Sequence, residues 1–256
     1  MCLILVAWKA HPRFPLVVAA NRDEFFARPT ATAGFWPETP AMLAGRDLQA
    51  GGTWMGYTRN GRFAALTNFR DPAQMRTDAE SRGALVAGFL SGDETPEAYL
   101  ARVGPQGPRY NGFNLLVADR DELAWYSNVG GGKKVLAPGI YGVSNHLLDT
   151  PWPKLQAAKS ALARALDALP DDQALFDLLR DDEIHPDDAL PRTGVSVEWE
   201  RVLSSAFVKA PGYGTRSSTV LLRDDRNGVV FDEQTWLAGG APGGRARFRF
   251  TLPAAP

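Results

Sequence analysis

The order of local signals predicts an α+β fold of antiparallel sheets covered by helices. Apolar runs come in pairs joined by short turn sequences, and helical patterns are grouped between them. The regular strand–helix alternation of a doubly wound parallel sheet is missing. Residues 2–8 and 16–20 are apolar runs separated by His11-Pro12-Arg13-Phe14-Pro15, a turn that suits a hairpin. Residues 53–58 and 62–67 flank Arg59-Asn60-Gly61, and Asn-Gly favours a tight hairpin turn because both residues tolerate positive φ. Between these hairpins, residues 28–52 are rich in Pro, Gly and Thr and are expected to form a long surface loop.

The helical signal begins at residues 79–90, where Leu85, Val86, Phe89 and Leu90 share one face and Gly92 ends the run. A second helix is expected over residues 96–103. Strands follow at 113–118 and 122–127, joined by Asp119-Arg120-Asp121, and again at 135–137 and 140–144. Residues 153–169 form an Ala-rich helix broken by Pro170, with further helices at 173–180 and 197–206. Strands at 219–223, 229–237 and 247–252 close the chain, Asn227-Gly228 turning the first pair. No composition shift marks a linker, so residues 1–252 read as one domain and residues 253–256 as a disordered tail.

Composition narrows the function classes. In 256 residues, 28 Lys and Arg stand against 29 Asp and Glu, so no global field gathers nucleic acid or an acidic membrane. One cysteine excludes an intramolecular disulfide. His11, His146 and His185 are scattered, and no metal or cofactor motif is written in the chain. The apolar run at residues 3–8 meets Lys9 too soon for a signal peptide or a membrane span. The expectation is a soluble cytoplasmic protein acting on a small molecule. Gly130-Gly131-Gly132-Lys133-Lys134 lacks the Walker pattern, since Ser127 and Lys134 stand where Gly and Ser or Thr are needed. It reads as a turn. The acidic stretch at 181–188 has no EF-hand spacing and reads as a solvated loop.

Two features carry chemistry. Cys2 follows the initiator methionine, and a small second residue permits removal of Met1. The exposed α-amine has a reference pKa of about 7.7–8.0 and the thiol about 8.5. One residue would then hold both a nucleophile and a base. Alone, such a cysteine also looks like a small buried hydrophobe at the start of a strand. The second feature is a set of polar residues at expected strand ends: Asn21 and Asp23, Asn68, Asn145, and Arg216. A side-chain amide donates hydrogen bonds without charge and can hold a developing oxyanion, and an aspartate can orient an amine. Each residue alone is also a common turn former.

Met1-Cys2, Ala20-Asn21-Arg22-Asp23-Glu24, Gly51-Gly52-Thr53-Trp54 and Thr67-Asn68-Phe69-Arg70 resemble, in that order, the NRDE or Transport and Golgi Organization protein 2 family. The segments 144–154 and 214–220 fit it too, so the likeness runs to about residue 237. That family is similar to N-terminal nucleophile hydrolases of the bile-salt hydrolase type. The resemblance implies a four-layer αββα sandwich and cleavage of linear amide bonds, and the expected function is that of a cysteine-dependent amidohydrolase or acyltransferase acting on a linear amide or thioester. Carried over by position, Cys2 corresponds to the nucleophile, Asp23 to the neighbouring aspartate, and Asn21 to an adjoining polar position. Asn68 and Asn145 correspond to the two asparagines near the acyl group, and Arg216 to the late arginine. Ala20 departs from the pattern, because those hydrolases carry an arginine there. Arg22 could replace it only from the strand face opposite Asp23, and otherwise thiol activation falls to Arg216 or the α-amine. Trp54, Phe69 and Trp152 are candidates for an apolar acyl pocket. The resemblance also implies an alternative, a non-catalytic carrier of a hydrophobic ligand such as haem or a lipid, with His146 the first residue to test as a haem ligand.

Overall fold

The computed structural model describes residues 2–254, so Met1 with its expected removal, and the last two residues of the expected tail, lie outside the described residues. The chain opens with β1 (Cys2–Trp8) and β2 (Leu16–Phe25), then β3 (Thr30–Trp36), β4 (Thr39–Asp47), β5 (Met55–Thr58) and β6 (Phe63–Asn68). Helices α1 (Gly83–Ser91) and α2 (Pro96–Val103) precede β7 (Phe113–Ala118), β8 (Leu123–Ser127), β9 (Lys133–Val135) and β10 (Gly139–Val143). Helices α3 (Pro153–Ala165), α4 (Gln173–Leu179) and α5 (Val197–Val202) follow. The chain closes with β11 (Lys209–Ala210), β12 (Tyr213–Arg223), β13 (Gly228–Trp236) and β14 (Pro242–Thr251).

These strands make two antiparallel sheets. The first runs β10-β1-β2-β12-β13-β14, with β11 added to β12, and the second runs β3-β4-β5-β6-β7-β8-β9. The alternation of β1 shows how the layers stack. Ile4, Val6 and Trp8 join a core between the two sheets with Met55, Tyr57, Phe63 and Trp125. Leu3, Leu5 and Ala7 face the other way, onto Leu155 and Leu162 of α3 and Leu175 and Leu179 of α4. On the far side of the second sheet, Ala64, Leu115 and Val117 meet Val86 and Phe89 of α1 and Leu100 of α2. The layers are therefore helix, sheet, sheet, helix, the four-layer αββα sandwich that was expected. Each fully buried Leu, Ile or Val contributes about 1.5–3 kcal/mol, so a strand apolar on both faces is held mainly by this burial. Its register is set at the polar end. A one-residue slip would drive Asn21 and Asp23 into the inter-sheet core.

Residues 28–52 are not the expected loop. They contain the β3–β4 hairpin, which is the edge of the second sheet. Ala33 and Leu43 face the inter-sheet core, while Trp36, Met42 and Ala44 face α1 and α2. This alternation is present in the sequence, but the Pro, Gly and Thr content obscured it. Gly45 is required there: a Cβ would lie 2.3 Å from the Trp54 ring. Several expected bounds also shift. The first helix begins at Gly83, residues 203–206 leave the helix at 197–202, and the last strands extend back to Tyr213 and Pro242. Asn21 and Asp23 lie within β2, and Arg216 sits in β12 at an irregularity between Thr215 and Ser217. Arg120 Nη2 donates to Pro253 O at 2.8 Å.

Candidate active site

The β1–β2 register places the thiol. Cys2 stands directly across from Arg22, Leu3 from Asn21, and Ile4 from Ala20. Cross-strand partners share a face, so Cys2 and Arg22 both look between the sheets, and Ala20 joins Ile4 in the inter-sheet core. Cys2, Arg22, Trp54, Leu66 and Thr219 surround a small gap. Arg22 is 6% exposed. Its guanidinium lies 4.3 Å over the Trp54 ring and donates to Thr30 Oγ1 at 3.3 Å. The Glu24 carboxylate is 3.9 Å away. Burial pushes the Cys2 thiol up, the Asp23 charge adds to this, and the Arg22 charge draws it back down. Arg22 thus shares with Ala20 the strand face that carries the thiol.

Asn21 and Asp23 face the helical layer. The Asn21 amide donates to Leu179 O at 2.7 Å and Ala206 O at 2.8 Å, and accepts from Ser218 Oγ at 2.6 Å. Those bonds tie α4 and the segment after α5 to β2, which is a structural task. Asp23 Oδ1 accepts from Thr215 Oγ1 at 2.7 Å, and the Tyr213 hydroxyl donates to Asp23 O at 3.2 Å. Burial pushes the Asp23 carboxyl up, while Lys154, the Thr215 hydroxyl and Arg70 pull it down. Lys154 is buried and donates to Leu203 O at 2.7 Å. Arg70 and Glu200 form an ion pair at 2.7 Å with both side chains 4% exposed. Thr193 caps Glu200 through its N–H at 2.8 Å and its hydroxyl at 2.6 Å.

Asn68 and Asn145 meet where the two sheets join. Asn68 is the last residue of β6, and its carbonyl accepts from Asn145 Nδ2 at 3.0 Å. Ser144 Oγ donates to Cys2 O at 3.1 Å and to Asn145 Oδ1 at 3.3 Å. Both asparagines border a cavity of about 350 Å³ whose walls include Phe25, Phe69, Met75, Trp199 and Tyr213. Phe25, Met75 and Trp199 are among the exposed large hydrophobics of the molecule. Among the described residues the Asn68 side-chain amide has no hydrogen-bond partner. Arg82 also borders the cavity and donates to Gly112 O at 3.0 Å. Burial lowers the Arg82 pKa, whereas Cys2 and Glu24 raise it.

Other expected members lie elsewhere. The Arg216 guanidinium donates to the carbonyls of Phe25, Phe26 and Arg28 at 2.8, 3.3 and 3.1 Å, so it holds the turn after β2. Of the three aromatic candidates, only Phe69 lines the cavity. Trp54 packs on Arg22, and Trp152 packs on His146 and Arg70. The His146 ring lies between Phe69 and Trp152, with Nδ1 at 2.8 Å from Thr150 Oγ1. Sequence reasoning missed Lys154, Arg82 and Glu200. Lys154 alone carried a signal: a cation in the first turn of a helix opposes the helix dipole. A larger cavity, about 680 Å³ beside Arg13, Arg247 and Arg249, borders none of the candidate site residues. Among the described residues no group of three or more His, Cys, Asp or Glu could hold a metal, and no helix is long and apolar enough to cross a membrane.

With this geometry in place, the comparisons are specific. Residues 1–238 match the model of the family Transport and Golgi organisation 2. The chain is 40% identical to the Transport and Golgi organization protein 2 homolog of Bos taurus, covering 93% of this chain and 94% of that protein. It is 39% identical to the Homo sapiens homolog over the same shares. Among solved structures it is similar to the C2A mutant of conjugated bile acid hydrolase from Clostridium perfringens. The TM-score is 0.50 at 9% identity, covering 98% of this chain and 92% of that one. At that identity the likeness is one of fold, that of the N-terminal nucleophile hydrolases.

Proposed function

This chain belongs to the Transport and Golgi organisation 2 family, and we propose that it is a cysteine-dependent amidohydrolase or acyltransferase acting on a linear amide or thioester. One observation carries the reading: the lone thiol lies directly across from a buried arginine, and Asp23 follows that arginine on the strand. The bile acid hydrolase with the similar fold acts on conjugated bile acids by its name, and it lends this chain only the expectation of an acyl substrate.

Removal of Met1 would place the α-amine on Cys2. The amine takes the thiol proton, and the thiolate adds to the carbonyl carbon. The Asn68 amide and a backbone N–H hold the oxyanion. The bond to the leaving nitrogen or sulfur then breaks, and the α-ammonium returns its proton to that group. Water or an acyl acceptor gives its proton to the amine, attacks the thioester, and releases the acyl group with the thiol restored. Asp23 holds the ammonium form during the cycle, and Arg22 favours the thiolate. Asn145 has one amide hydrogen engaged by Asn68 O, and its second positions the substrate. Phe25, Met75 and Trp199 receive the apolar acyl part.

The test is turnover of a panel of acyl amides and thioesters by wild type and Cys2→Ala, with the acyl-enzyme trapped and its mass read on the N-terminal peptide. The expected result is a chain that starts at Cys2, an acyl adduct, and no turnover in Cys2→Ala. A retained Met1, or turnover that survives the substitution, overturns the mechanism. The apolar wall of the cavity favours a second reading, a non-catalytic carrier of a hydrophobic ligand. Ligand binding without turnover, unchanged in Cys2→Ala, would support it. In that reading a lipid suits the site better than haem held by His146, whose ring is packed between two aromatic side chains.

A further inference from the structure

We propose that Lys154 is a positioning residue of this site, fixing the backbone segment 203–208 beside Asp23 and supplying the positive charge that keeps the Asp23 carboxylate ionised. The proposal rests on the reading of Asp23 as the partner of the Cys2 α-amine.

Nothing about local structure asks for a lysine here. It is the second residue of α3, where a cation opposes the helix dipole, and it is 5% exposed. Burying a charge is costly unless partners offset it. Its partners are two carbonyls, Leu203 O at 2.7 Å and Ser205 O at 3.5 Å, both in the segment that leaves α5. The same segment is gripped from β2 by Asn21, which donates to Ala206 O at 2.8 Å. At its far end Val208 exchanges two bonds with Thr215: Thr215 N donates to Val208 O, and Val208 N donates to Thr215 Oγ1, each at 2.9 Å. With its oxygen receiving that N–H, the Thr215 hydroxyl points its own hydrogen at Asp23 Oδ1, 2.7 Å away. Buried hydrogen bonds at the two ends of this segment, linked through its backbone, thus connect Lys154 to the carboxylate.

The charges around this line agree with the geometry. Asp23 on β2, Glu200 on α5 and Cys2 on β1 favour the ammonium form of Lys154, and Arg70 after β6 opposes it. Arg70 is itself bonded to Glu200, which tempers that opposition. Burial, the largest influence, brings Lys154 down to about 8. In return, Lys154 and Arg70 hold Asp23 down against its burial. The Tyr213 hydroxyl on β12 is pushed up by burial and stays protonated, so it remains a donor to Asp23 O. Near neutral pH Lys154 is charged and Asp23 is supported. Above pH 8 that support fades.

Carbon-13 NMR of the aspartate-labelled full chain tests this without any substrate, Asp23→Asn identifying the Asp23 signal. In Lys154→Met the Asp23 midpoint should rise by about one pH unit or more, and in Lys154→Arg it should stay near wild type. An unchanged midpoint in a folded Lys154→Met chain overturns the proposal. If that variant does not fold, the wild-type signal decides. It should inflect a second time around pH 8 as Lys154 loses its proton, and a flat signal there overturns the proposal. A shifted Asp23 midpoint in a chain that turns over no acyl substrate would uphold the Lys154–Asp23 pairing and overturn the hydrolase reading alone.

Discussion

Arg22 and Asp23 are adjacent in sequence, yet the pleat gives them separate surroundings and separate consequences. Arg22 shares a face with the chain's one thiol, and its nearest carboxylate is 3.9 Å away. An arginine so buried and so loosely paired favours a neighbouring anion, and ionised Cys2 is that anion. Arg22→Gln should therefore raise the pH of half-maximal alkylation of Cys2 by about one unit, with Arg22→Lys falling between. Iodoacetamide labelling followed by intact mass reads this directly, because the chain has a single cysteine. Asp23 behaves in the opposite sense. Its folded pKa lies above the ordinary 3.8, so at neutral pH the charged carboxylate is a burden on the fold. That burden is full above the folded pKa and disappears below the unfolded one. Asp23→Asn, whose Oδ1 still accepts from Thr215, should raise the melting temperature at pH 7. The gain should shrink as pH falls toward 4, and a melting temperature lowered at pH 7 would contradict this account. The residue that destabilises is the one proposed to hold the amine, a usual cost of a buried functional charge.

At the scale of elements, the hairpins determine which faces meet. The β1–β2 hairpin was legible because its apolar runs and turn residues agree, and its register carries Arg22 to Cys2. The β3–β4 hairpin was not legible, because Pro40, Gly34 and Gly45 dilute the alternation that a strand shows in sequence. Yet this hairpin supports the site. Gly45 leaves room for the Cη2 end of the Trp54 ring, and the same ring carries the Arg22 guanidinium 4.3 Å over it. Gly45→Ala would put a methyl 2.3 Å from the ring, costing about 1–3 kcal/mol as an overpacked core substitution. Displacing Trp54 should also release Arg22, so the alkylation profile of Cys2 should move in the same direction as in Arg22→Gln. Urea denaturation and the labelling assay measure the two effects separately. Adding Trp54→Leu should restore stability while leaving the thiol profile shifted. If the profile stays at wild type in Gly45→Ala, Trp54 does not set the position of Arg22.

The whole molecule explains why some site residues could be named from sequence and others could not. Cys2, Asn68 and Asn145 stand at ends of strands, where a polar residue after an apolar run is visible. Glu200 and Arg82 fall within expected helical segments, where a charged residue carries no signal of its own, and only tertiary packing brings them near. Even the legible residues divide once the sheets are assembled. Asn145 bridges the layers: its Nδ2 donates to Asn68 O in the second sheet, and its Oδ1 accepts from Ser144, which in turn holds Cys2 O in the first. Asn68 contributes its backbone to that bridge and leaves its side chain at the cavity. The two asparagines should then separate in experiment. Asn145→Ala takes the side-chain donor from the part-buried Asn68 carbonyl and breaks the link between the sheets, and should lower unfolding free energy by about 1–3 kcal/mol. Asn68→Ala removes no hydrogen bond among the described residues, and should stay within about 0.5 kcal/mol of wild type. In turnover the order reverses in meaning. Loss of an oxyanion donor lowers kcat by about 10²–10³-fold, so a stable Asn68→Ala chain with that loss would identify the amide as the donor. Equal destabilisation by both substitutions would instead make the pair a structural clamp, and the oxyanion would have to be held by backbone N–H groups alone.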